Sequence, residues 1–350
     1  MNGAANMGEI MANIVFGVGV SHSPLLATEP EQWNLRAEDD AKMPEHWYRG
    51  DTHSFDELVE MRKDENFAEQ ISPEVMRARH ERNQQHLDFL GAKIKDAELD
   101  VLVVFGDDQR ENILTDNSPA FLIFNGAEVP FKQVSPERLA TQPPGVAVAN
   151  WARVPDQDMN LTGAPELANH VITSVVQRGF DVSVSDYLST RENAEDGIGH
   201  AFGFYYHRLL DDMRDTPNLA TMPIYLNTFF APNQPPLWRC LDFGKEVGRA
   251  IRNWDADIRV GIAASGGFSH FVIEEDLDQR LIDAITDRDE DALRAEPESN
   301  LQSGTSEIKN WVAAMSVTDG SGLEFQLVDY IPCYRSLAGT GNAMCFGLWN

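Results

Sequence analysis

Apolar positions along this chain follow two alternating periods. Short, nearly all-apolar runs at 13–20, 101–105, 119–124, 180–185, 222–230, 259–264 and 323–331 read as strands, and runs without a polar alternate position are those covered on both faces of a sheet. Between them, apolar residues at helical spacing predict helices over 73–95, 165–178, 198–210, from 237 onward, over 274–294 and over 306–315. The first of these has Ser72 at the N-cap position, Pro73 at its first turn, and a core stripe of Met76, His80, Leu87, Leu90 and Ile94. Strands alternating with helices predict an α/β fold, a single domain with a mainly parallel central sheet flanked by helices. Two segments break the rhythm. Residues 25–71 form a long, polar, acidic insertion after the first strand, expected to act as a lid, and the proline-punctuated stretch 130–155 is assigned no regular structure. Residues 1–12 are expected to be a flexible leader to a domain spanning 13–350.

The polar residues that end the strands carry the candidate chemistry, because ligands of open α/β sheets bind beyond the carboxyl ends of strands. The 13–20 run stops at Ser21-His22-Ser23-Pro24, the 101–105 run at Gly106-Asp107-Asp108-Gln109-Arg110-Glu111, and the 259–264 run at Ser265-Gly266-Gly267-Phe268-Ser269-His270. Two strands that each deliver an imidazole suggest one shared site. His270, just past a Gly-Gly turn, has the chemistry of a general acid/base, with a satisfied loop histidine as the plainer alternative. A mononuclear non-haem iron site needs two imidazoles and one carboxylate on one face, and His22 and Glu307 are the candidate ligands. Against them stand a turn histidine bonded to its own backbone and an acid complementing a helix dipole. His200 lies among apolar helix residues, with a catalytic or a core role. Asp107 and Asp108 are ligands, orienting partners or a solvated strand end; His80 and His86 belong to helix surface or packing, and His53 to the surface of the insertion.

Charge narrows the partners. Against 28 basic residues stand 56 acidic ones, a formal net charge of -28 that repels nucleic-acid phosphates and anionic lipid, so neither is an expected partner. An anionic substrate would need local arginines to override that field, and Arg110, Arg239 and Arg335 lie near predicted strand ends or turns. The three cysteines, Cys240, Cys333 and Cys345, show no metal-type spacing, and an odd count argues against a disulfide framework, so a reducing cytoplasm is the expected location. No Lys or Arg precedes Arg36 and no apolar run approaches membrane-spanning length, so neither signal peptide nor membrane span is expected.

Taken in order, Ser21-His22-Ser23-Pro24, Asp107-Asp108-Gln109, Gly199-His200, Ser265 to His270 and Ser303-Gly304-Thr305-Ser306-Glu307 through Trp311 resemble the class III extradiol ring-cleavage dioxygenases, the family of the protocatechuate 4,5-dioxygenase catalytic subunit and of gallate-type enzymes. The resemblance implies Fe(II) bound by His22 and Glu307, His270 as acid/base, and His200 in contact with substrate or oxygen. It implies ring opening beside the diol of a catecholic or gallate-like aromatic acid, with both atoms of O2 incorporated. The expected partners are that small aromatic substrate and O2, in a homo-oligomer, with a small partner subunit left open. One position departs from the pattern: where the family's second histidine ligand follows an aspartate, this chain has Gln109 after Asp108. Gln109, Asp107, Asp108 or Glu111 then completes an altered triad, or His53 swings in from the insertion. Otherwise the site has abandoned iron, for non-oxidative acid/base chemistry such as C–C hydrolysis or decarboxylation, or for a non-catalytic subunit.

Overall fold

Nine strands make the central sheet of the computed structural model, which describes residues 11–350. Most of the expected leader, 1–12, therefore lies outside the described residues. Across the sheet the strands run His270–Val272, Thr340–Trp349, Asn13–Val20, Arg259–Ser265, Val101–Gly106, Ala220–Leu226, Phe121–Phe124 and Ser183–Ser185, and Phe325–Tyr334 also pairs with Thr340–Trp349. The four strands from Asn13–Val20 to Ala220–Leu226 are mutually parallel, so their carboxyl ends share one edge. Antiparallel pairing begins on either side, at Thr340–Trp349 and at Phe121–Phe124. The α/β reading thus holds, with four parallel strands in the middle of a mixed sheet and a further parallel pair, Phe121–Phe124 with Ser183–Ser185, at one edge.

The all-apolar composition of the central strands has the expected cause. Along Val101–Gly106 every residue is buried, with Val101, Val103 and Phe105 in one core cluster and Leu102 and Val104 in the other. Side chains at period two therefore feed two separate cores, one per face. Helix Pro73–Asp96 covers one face through Leu87, Leu90 and Ile94; Ser72 occupies its N-cap position without a side-chain cap bond, and Pro73 opens it. Helices Leu237–Arg252 and Ile308–Val317 cover the other. The expected helix over 198–210 is a short α-helix, His200–Phe204, followed by a π turn, Tyr205–Leu209. The region 274–294 divides in two where Arg288 takes a left-handed φ of 52°.

Two expectations need correction. The segment 130–155 is built of short regular pieces: strand Glu128–Phe131 pairs with Met159–Thr162, and helices Pro136–Leu139 and Pro144–Ala147 and the 3-10 turn Asn150–Arg153 follow. Its prolines start helices rather than break them, because a fixed φ and a missing N–H suit the first helical turn; Ser135 caps the first of the two. The strand expected over 323–331 as the last of the fold is half of a hairpin whose partner, Thr340–Trp349, is buried along its whole length. In the insertion, helices Trp33–Asp40, Phe55–Met61 and Phe67–Gln70 accompany a two-stranded ribbon, His46–Tyr48 with Asp51–His53. All three cysteines are free and buried. No helix among the described residues is long and apolar enough to cross a membrane.

Candidate active site

His22 leaves the Asn13–Val20 strand between two serines that fix the chain. Ser21 Oγ accepts from the Cys345 N–H at 3.0 Å, and Ser23 Oγ caps the next turn by accepting from the Leu25 N–H at 3.2 Å. The imidazole itself is buried, with Nδ1 2.9 Å from Ser265 Oγ, and Ser265 Oγ lies 2.5 Å from the Ala201 carbonyl oxygen. A hydroxyl has one proton, and the carbonyl can only accept it, so Ser265 must accept from His22 Nδ1–H. That leaves His22 Nε2 facing the site, the arrangement required of a metal-ligating histidine.

Glu307 reaches the same place from the other end of the chain, on the turn Ser303–Glu307 that leads into helix Ile308–Val317. Its Oε2 accepts from the Gly267 N–H at 2.8 Å and lies 3.4 Å from His22 Nε2, while Oε1 lies 3.2 Å from His270 Nε2. His270 Nδ1 donates to the Phe268 carbonyl at 2.6 Å, which fixes the ring and leaves Nε2 as the only nitrogen free to exchange a proton. Burial disfavours charge on His270, but Glu307 outweighs it and raises the imidazole above its usual value. Burial would likewise raise the Glu307 carboxyl, and His270 and His22 hold it well below the ordinary carboxylate range instead.

The strand end at 106–111 divides its work. Asp108 turns back on its own loop, accepting backbone N–H groups from Arg110, Glu111, Asn112 and Ile113 at 2.8–3.2 Å. Burial, then Glu111, lifts its pKa to about 7. The carboxylate that faces the histidines is Asp107, fully buried, with one oxygen 4.0 Å from His22 Nε2 and the other 4.0 Å from His200 Nε2. Gln109 points its amide at this group, Nε2 donating to Asp107 Oδ2 at 3.3 Å. Glu111 holds His200: its carboxylate accepts from Nδ1 at 2.7 Å and from the backbone N–H at 3.1 Å, and it is also paired with Arg153 at 3.1 Å. Burial opposes both charges, yet the pairing prevails, placing Glu111 at about 2 and His200 at about 10.

His22, Gln109, Glu111, His200, His270 and Glu307 line a 420 Å³ cavity. The segment to which the sequence assigned no structure also lines it, with Arg138, Gln142, Val146, Asn150 and Arg153 among its residues, as do Ala27 and Arg36 of the insertion. The arginines expected to face a substrate lie elsewhere. Arg110 packs over the Phe230 ring at 3.8 Å and bonds Ser118, and Arg239 lies against Phe121 and Phe180 beside a different cavity. Arg335 is one step removed, paired with Asp40 at 2.6 and 2.9 Å and donating to Asn342 Oδ1, while Asn342 itself lines the cavity. His53 is in the ribbon and does not line the cavity. Of the residues that do, Arg153 and Arg138 gave no signal in sequence, and Arg36, followed closely by Glu38, Asp39 and Asp40, reads as an ordinary surface position.

The donor chemistry fits a divalent transition metal. Ligand atoms of His22, Asp107 and His200 all lie within 4.8 Å of one another, and imidazole with carboxylate is a set that Fe(II) accepts. A second such group among the described residues, Asp156, His207 and Asp212, is already countered by Arg214. The sequence profile of one family, described as the catalytic LigB subunit of aromatic ring-opening dioxygenase, matches residues 68–338. Comparison with individually curated proteins gives no match.

Proposed function

The chain belongs to the family of catalytic LigB subunits of aromatic ring-opening dioxygenases, and from that premise we propose that it is a non-haem Fe(II) extradiol enzyme acting on a catecholic or gallate-like aromatic acid. One observation carries this reading. His22 and Glu307, from opposite ends of the chain, present Nε2 and Oε2 3.4 Å apart at the cavity, with His270 bonded to the same carboxylate. In this reading His22 and Glu307 hold the iron, which when bound supplies Lewis acidity toward the phenolic oxygens and a path for electrons from ring to O2. His270 Nε2 is the atom that exchanges a proton with the diol, its ring unable to turn because Nδ1 is tied to Phe268. The walls from 138–153 and Arg36 keep water from the reacting ring. The insertion is thus proposed as one part of the cover, acting with 138–153.

The acid group of the substrate is assigned to Arg36. Arg153 is committed to Glu111, Glu195 and Asn150, and Arg138 donates to the Asn193 and Arg110 carbonyls. The Arg36 guanidinium makes no hydrogen bond to the protein among the described residues: its Nε is buried without a partner, and its nearest carboxylate oxygen, on Asp39, is 3.8 Å away. Gly145 holds its stem in place, since a Cβ there would lie 2.6 Å from Arg36 Cδ. A cation so left in a cavity wall favours a ligand carboxylate. The test is anaerobic reconstitution with Fe(II) followed by oxygen uptake on catechol, protocatechuate and gallate, with labelled O2 to count the atoms entering the product. Two labelled atoms in a ring-opened acid are expected, and iron-restored protein that consumes no O2 with any of these diols would refute the proposal.

A further inference from the structure

We propose that His200 is the second imidazole ligand of this metal centre and fills the place that Gln109 leaves. The inference rests on the metal-dependent reading above and goes beyond it by naming the ligand. Its ground is the way two imidazoles meet. The Nε2 atoms of His22 and His200 are 3.0 Å apart, the ring planes cross at 87°, and the ring centroids are 4.5 Å apart.

A near-linear N–H···N bond of that length would put the centroids about 5.4 Å apart, each lying roughly 1.2 Å behind its nitrogen, because hydrogen bonds prefer angles above about 150°. Two nitrogens converging at right angles on one cation about 2.1 Å from each would be about 3.0 Å apart, with centroids about 4.7 Å apart. The observed separation matches convergence on a shared point. Each ring is also committed at Nδ1 in the manner of a ligand, His22 to Ser265 and His200 to the Glu111 carboxylate. Both Nε2 atoms therefore point to the place where Glu307 Oε2 comes within 3.4 Å of His22 and Asp107 within 4.0 Å of both histidines. His22 and His200, with a carboxylate from Asp107 or Glu307, restore the two-imidazole, one-carboxylate set of an open iron site.

The other ways of replacing the missing histidine fit less well. Asp108 is saturated by four backbone N–H groups, and Glu111 by His200 and Arg153. Gln109 donates its amide to Asp107 and so helps to fix that carboxylate beside the cluster. His53 is held in the ribbon.

The experiment uses metal-free full-length protein at one fixed pH, with Co(II) affinity from calorimetry and the number of coupled imidazole nitrogens from pulsed EPR after loading with Cu(II). Wild type should show two imidazoles. His200→Ala should show one and bind Co(II) more than about 100-fold more weakly, beyond the roughly 10- to 100-fold typical of outer-sphere changes. Gln109→Ala should keep both imidazoles and lose less than that. One imidazole in wild type, or a loss in Gln109→Ala equal to that in His200→Ala, overturns the proposal. The wild-type count needs no variant to fold. Two imidazoles without O2 uptake on any diol would keep the ligand set and remove the ring-opening reading, whereas ring opening with a single imidazole would do the reverse.

Discussion

Replacing Glu111 by Gln tests the electrostatic logic of the site in metal-free protein. The carboxylate lies 2.7 Å from His200 Nδ1 and is the largest influence opposing the cost of burying that charge, in a balance that takes the imidazole from 6.5 to about 10. At about 1.36 kcal/mol per pH unit, this rise is worth on the order of 5 kcal/mol. In Glu111→Gln only Asp107 and Glu307 remain to oppose burial, so the His200 pKa should fall by at least about 2 units. Arg153 keeps its two bonds to Glu195, at 2.8 and 3.0 Å, which limits collateral damage. The sign follows from linkage. A histidine raised in the folded state adds stability that is fully present below about 6.5 and is lost as pH rises through about 10. Wild type should lose stability to urea across that window, and the variant should start lower and fall less. Because a proton and a metal compete for Nε2, Co(II) affinity of wild type should rise up to about tenfold per pH unit over the same range, and the slope should flatten in the variant. The direct assay is NMR titration of the His200 ring. Titration near 6.5 in wild type, or equal midpoints in the two proteins, would refute the argument.

Arg36→Gln should raise KM for carboxylated diols by roughly 10- to 100-fold, the worth of a charged hydrogen bond, and leave neutral catechol within about threefold; an equal effect on both classes would remove Arg36 from substrate binding. Gly304→Ala would place a Cβ 2.2 Å from His270 Cδ2. It should cost about 1–3 kcal/mol of stability in urea unfolding and, by displacing that ring, at least tenfold in turnover; unchanged kinetics would mean that the position of His270 is not critical. Asp278, bonded to Ser269 and Tyr330, is pushed by burial to about 7. Its folded form keeps a proton that the unfolded chain releases near 3.8, so stability should fall as pH rises from 4 to 7 and level off above. Asp278→Asn should remove that slope, and an unaltered urea profile would show that the carboxyl is ionised in the fold.

The parallel heart of the fold and the strand ends that carry His22, Asp107 and His270 were legible because each depends on local signals: a period of two, an all-apolar run, a Gly-Gly turn. The cover of the cavity was not. Helices Pro136–Leu139 and Pro144–Ala147 are four residues each, too short to display a period, so their prolines read as breaks although they begin helices. Thr340–Trp349 escaped because its Gly, Asn and Ala positions dilute the apolar signal of a strand that tertiary contacts bury completely. The candidate ligands show the same division. His22 lies outside the matched stretch 68–338 and joins the site through Ser265, 243 positions away. His200 looked like one polar residue among apolar neighbours, and its meaning comes from Glu111, 89 positions earlier, which turns the ring so that Nε2 meets that of His22. Only the folded chain supplies the pairing of a loop beyond one strand with the start of a distant helix. A sequence in which Gln109 stands for histidine therefore reads as a damaged metal site, while the fold presents a second imidazole from another element.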